Sequence, residues 1–173
     1  MTIYSTTAQN YEQVSYNPPG LSQHSARARG VIAVTADRTL LPRESGSLVV
    51  FDVAAGAVVT LPTPVAGMEF EFLVTTTITS NNAKIITNSS SVFLLGEVLM
   101  YTTATASPAG FAFNGSTHVA CTMNGTTTGA IIGTRIKVTA LPTTSATATT
   151  STQWFIEGAI VGSGIIATPA ATS

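Results

Sequence analysis

The chain has 173 residues, enough for one domain with a sizeable core. Charged residues are only 9% of it, against about 25% in an ordinary soluble domain, and seven Lys and Arg against eight Asp and Glu leave a net charge of -1. Clustered cations able to neutralise many phosphates are missing, so nucleic acid is not an expected partner; at 45% hydrophobic the composition is globular, with 30 threonines standing where charge would usually be.

Residues 1–30 come first in chain order. They carry Tyr4, Tyr11, Tyr16, the break Pro18-Pro19-Gly20, His24 and the pair Arg27-x-Arg29, with neither helical nor strand periodicity. The expectation is an extended N-terminal arm that attaches to a neighbouring chain. Its tyrosines offer broad amphipathic contact with few rotamers to freeze. Arg27 and Arg29 can form bidentate pairs with carboxylates on a partner. The first seven residues have no basic region and no apolar run, so no signal peptide is expected. No apolar stretch approaches the ~18 residues of a membrane span, so no membrane is expected either.

Residues 31–173 read as a single all-β domain. Apolar, β-branched-rich runs at 31–34, 48–53 and 58–61 predict strands, the last two joined by Ala54-Ala55-Gly56 as a hairpin. In the next run Met68, Phe70, Phe72 and Val74 alternate with Glu69, Glu71 and Leu73, which predicts one apolar and one largely solvated face. Strands are further expected at 84–87 and 92–100, with Asn81-Asn82 as the turn before them. Phe111 and Phe113 run into Asn114-Gly115, and residues 117–123 run into Asn124-Gly125, which predicts a tight meander. Runs at 135–141 and 153–160 close the set, with the Thr/Ala-rich stretch 142–152 as a loop. The expected fold is an antiparallel β-sandwich or barrel, jelly-roll-like, with Phe70, Phe72, Phe111, Phe113, Val119 and Trp154 in one core.

Chemistry is sparse. His118 and Cys121 are the best pair of metal ligands, but three positions apart on a strand they point to opposite faces. No metal site and no cofactor is therefore expected. Cys121 is the only cysteine, which excludes an internal disulfide. Glu69 and Glu71 could serve as a carboxylate pair for glycoside hydrolysis; two apart on a strand whose other face is apolar, they read as its solvated side. No Ser/His/Asp arrangement, G-x-S-x-G elbow or phosphate loop occurs. An enzyme is not expected.

Three consecutive stretches carry a resemblance. Ser45-Gly46-Ser47-Leu48-Val49-Val50-Phe51-Asp52, then Val58-Val59-Thr60-Leu61-Pro62, then Gly67-Met68-Glu69-Phe70-Glu71-Phe72 follow an order that recurs in tailed-bacteriophage virion proteins. Trp154-Phe155-Ile156-Glu157-Gly158 with Gly162-Ser163-Gly164 resembles the closing strand of the same proteins. Among these, small members with an N-terminal arm resemble capsid decoration, or cement, proteins. The resemblance implies a structural protein, often a homotrimer, made in the host cytoplasm and placed on the outer capsid surface of the virion. There it would clamp neighbouring copies of the major capsid protein. It brings no catalytic residue with it. The alternative in the same group is a fibre or head-spike module that contacts a host receptor or glycan; no collagen-like or coiled-coil stalk supports it here.

Overall fold

Alternating apolar and polar side chains, punctuated by Gly, Pro and Asn-Gly, resolve into twelve strands in the computed structural model, which describes residues 29–105, 107–142 and 153–173. The strands are β1 (Val31–Val34), β2 (Arg38–Thr39), β3 (Leu48–Phe51), β4 (Val58–Thr60), β5 (Glu69–Val74), β6 (Ala83–Ile86), β7 (Phe93–Thr102), β8 (Ala109–Asn114), β9 (Ala120–Met123), β10 (Arg135–Leu141), β11 (Gln153–Gly162) and β12 (Ala170–Ala171). A short 3-10 turn, Pro42–Glu44, lies between β2 and β3; the Glu44 carboxylate accepts the Leu41 backbone N–H there and pairs with Arg38.

Two sheets stack as a sandwich. The larger has seven strands in the order β1-β3-β5-β10-β11-β7-β8, the smaller five in the order β12-β9-β6-β4-β2. The all-β sandwich is as expected, but the sheets are mixed and not antiparallel throughout. From β1 to β6 the chain alternates strictly between the two sheets. Each crossing reverses direction, so a strand returning to its own sheet runs parallel to the one it left. That is why β1–β3, β3–β5, β2–β4 and β4–β6 are all parallel pairs. The jelly-roll-like, antiparallel detail of the expectation is thereby corrected.

The same crossings correct the turns. Ala54-Ala55-Gly56 does not close a hairpin; it carries the chain from β3 in the larger sheet to β4 in the smaller. Asn114-Gly115 and Asn124-Gly125 likewise lie on the connections β8 to β9 and β9 to β10, both of which change sheets, so there is no tight meander. The short hairpin is instead β7–β8, antiparallel with Leu95 opposite Asn114. Residues 143–152 of the expected Thr/Ala loop lie outside the described residues.

Register settles which side chains fill the core. Across the larger sheet, Ile32, Val49, Phe72, Ile136, Gly158, Val98 and Phe111 form one inward row, and Phe70, Val138, Ile156, Gly96 and Phe113 form the next. Trp154 lies against Phe70 with ring centroids 6.0 Å apart. Val59, Ile85, Cys121 and Met123 meet them from the smaller sheet. Phe70, Phe72, Phe113 and Trp154 are in the core as expected; Phe111 is half-buried and packs against it. Val119 is corrected: it precedes β9, where the chain is still entering the sheet, and stays outside the core cluster.

Candidate functional site

The outward residues of the larger sheet form the most distinctive surface of the molecule. One row runs across all seven strands as Val31, Leu48, Glu71, Lys137, Glu157, Glu97 and Ala112. On either side lie Leu73, Arg135, Ala159 and Leu99, and Glu69, Thr139, Phe155 and Leu95. Tyr101 pairs with Val161, and Phe93 with Gln153, at the two ends of β7.

Charge is concentrated on the β5/β10 half of this face. Arg29, Glu69, Glu71, Arg135, Lys137 and Glu157 line an open cleft of about 400 Å³. The expectation of two solvated carboxylates is corrected here, because Glu71 is only 8% exposed. Arg135 on the adjacent strand and Arg29, reaching over β3, both pair with it. The Arg135 hydrogen bond, working against the cost of burial and helped by Arg29, holds the Glu71 carboxyl below its ordinary range. Lys137 bonds Glu69 at 2.8 Å, and that contact raises the Lys137 pKa. A carboxylate held ionised by two guanidinium groups is the opposite of what a general acid requires.

The β11/β7 half differs. Glu157 and Glu97 stand opposite each other on parallel neighbours, both exposed and without an ion pair among the described residues. Around them are Phe93, Leu95, Phe155, Leu99 and Tyr101, the last two 38% and 48% exposed. The outer face of the smaller sheet is more polar, with Thr122, Lys84 and Val58 in one row and Ile86, Thr60 and Thr39 in the next.

Of the residues singled out for partner contact, Tyr4, Tyr11, Tyr16 and Arg27 lie outside the described residues. Arg29, expected to meet a partner's carboxylate, meets Glu71 of its own sheet. Gly30 then accepts the Leu48 backbone N–H, so the chain enters the fold alongside β3. Cys121 and His118 are not brought together. Cys121 is buried between the sheets, where burial pushes its thiol up to about 12, and His118 packs edge-on against Phe113 while its Nδ1 accepts the Asn114 N–H. No group of three or more metal-binding side chains exists among the described residues.

The apolar outer face was missed by sequence reasoning, yet a signal for it was present. Phe93-Leu94-Leu95 and Trp154-Phe155-Ile156 are large and apolar at both odd and even positions, the pattern of strands covered on both faces. Comparison with family models, curated proteins and solved structures finds no match for the chain.

Proposed function

We propose that the protein is a structural virion component, a capsid decoration protein that binds the outer surface of a phage head and holds neighbouring major capsid subunits together. The observation that carries this reading is the outer face of the larger sheet, broad, apolar on one half and charge-paired on the other. Such a surface suits extended contact with another folded protein. Its cleft is open, but most of the charges lining it are already paired with one another, which leaves little to hold a small substrate. The resemblance of residues 45–75 and 153–168 to phage virion proteins supports the same reading. Residues 1–30 serve in it as the second attachment element.

The test is co-sedimentation of the purified full chain with phage heads assembled without their decoration protein. Saturable binding that raises the temperature at which heads rupture is the expected result. Failure to bind heads, together with binding to host cells or their surface glycans, would replace this reading with the fibre or head-spike alternative.

A further inference from the structure

We infer that the outer face of the larger sheet is a pairing surface for a second copy of this chain, two sheets meeting face to face about a two-fold axis. The pairing concerns the free protein: this face cannot hold a second copy and a capsid at once, so under the virion reading the pair parts on binding a head. Three observations carry the inference.

The first is the double apolar character of β7 and β11. Their inward side chains Leu94, Val98, Met100, Trp154, Ile156 and Ile160 are fully buried, and their outward ones include Phe93, Leu95, Leu99, Tyr101, Phe155 and Val161. Leu99 and Tyr101 are exposed, and Phe93, Leu95, Phe155 and Val161 are partly so, with Gly115 packed against Leu95 at one corner. Exposed apolar surface of this extent on a soluble protein marks an interaction site.

The second is charge. The β5/β10 half of the face carries Arg29, Arg135 and Lys137 against Glu69 and Glu71, a surplus of one positive charge, whereas the β11/β7 half carries Glu97 and Glu157 with no cation. Like charges directly opposite on neighbouring strands are unfavourable. A two-fold rotation brings the basic half of one copy onto the acidic half of the other and relieves both pairs at once. Arg135 is placed for this, since only its Nε is committed to Glu71 and its side chain is 66% exposed. Identical copies satisfy such a two-lobed pattern because an isologous contact makes every complementary pair twice.

The third is area. With ~4.8 Å between strands and ~3.3 Å per residue, five strands over about seven residues present roughly 550 Å² per copy, or about 1,100 Å² for the pair. That meets the ~1,000 Å² that a specific interface requires.

The experiment is sedimentation equilibrium of the full chain at micromolar concentration, alongside Leu99→Asp and the double variant Glu97→Lys/Glu157→Lys, with circular dichroism to establish that each variant folds. The expected result is twice the chain mass for the native protein. The double variant, by setting like charges against each other across the pair, should raise the dissociation constant about tenfold or more. Leu99→Asp, which places a charge on an exposed position and leaves the core intact, should run at the single-chain mass. A native protein at the single-chain mass, a threefold mass, or a twofold mass that folded forms of both variants leave unchanged would each overturn the pairing. Head binding by a protein that stays single would separate this failure from failure of the virion reading.

Discussion

Phe72 stacks on Phe51 with ring centroids 6.2 Å apart, and both are fully buried where β3 and β5 face the smaller sheet. Replacing Phe72 with Ala removes a ring that its neighbours cannot collapse to fill, so unfolding in urea should reveal a loss of about 3–5 kcal/mol. Glu71 ties stability to pH in a definite direction. Its folded pKa is depressed below the ordinary value of 4.5, so above that value both folded and unfolded states are ionised and the stabilisation is fully present. As pH falls, the unfolded chain takes up its proton first, and the contribution is lost through the depressed folded pKa. Urea midpoints measured from about pH 7 to about pH 3 should therefore fall, and Glu71→Gln should flatten that slope while lowering the plateau at neutral pH. The position of Glu71 on the sheet was readable from period-two alternation, but its burial was not. Alternation says which face a side chain takes; only the fold says that Arg29 lies over that face and that Arg135 stands beside it.

Two loops of nearly identical build explain why Asn-Gly did not mark hairpins. In Asn114-Gly115-Ser116-Thr117-His118, the Asn114 Oδ1 accepts the backbone N–H of residues 116 and 117, at 3.0 and 2.9 Å, while its Nδ2 donates to Thr117 Oγ1 at 2.7 Å. In Asn124-Gly125-Thr126-Thr127-Thr128, the Asn124 Oδ1 accepts the N–H of residues 126 and 128, at 2.9 and 3.1 Å, and Nδ2 donates to Thr127 Oγ1 at 2.8 Å. Glycine takes the positive φ in each, +69° and +80°. The Asn side chain organises a loop of five residues and not a two-residue turn, which is long enough to change sheets. Asn124→Ala leaves the exposed Thr126 N–H and the part-buried Thr128 N–H without their acceptor, and thermal or urea unfolding should show a loss of about 1–3 kcal/mol. Asn124→Asp, which keeps the acceptor and can take the Thr127 hydroxyl as a donor in place of the amide bond, should cost less. Ten of the twelve strands were thus legible within a few residues, because β-branched alternation is local; β2 and β12, two residues each, are too short to show it. Their partners were not, because a turn motif does not specify which sheet the next strand joins.

The described strands begin at Val31, so a chain beginning there keeps every one of them and is expected to fold cooperatively. It should melt at a lower temperature than the full chain, since Glu71 then keeps Arg135 and loses Arg29. Under the proposed function it should also fail to saturate phage heads in co-sedimentation; full occupancy would leave the body as the sole attachment surface. The all-β class, the scarcity of cations and the core aromatics Phe70, Phe72, Phe113 and Trp154 were already decided by composition and period-two patterning, which depend on each residue and its near neighbours. The mixed sheets, the cleft around Glu71 and the apolar outer face of β7 and β11 were decided only by tertiary structure. Each depends on segments distant in sequence meeting in space: β1 to β6 crossing between sheets, Arg29 reaching over β3, and β11 inserting in parallel beside β7. Local pattern carries no information about such pairings, because the same strand fits equally well against many partners until direction, register and burial are settled together.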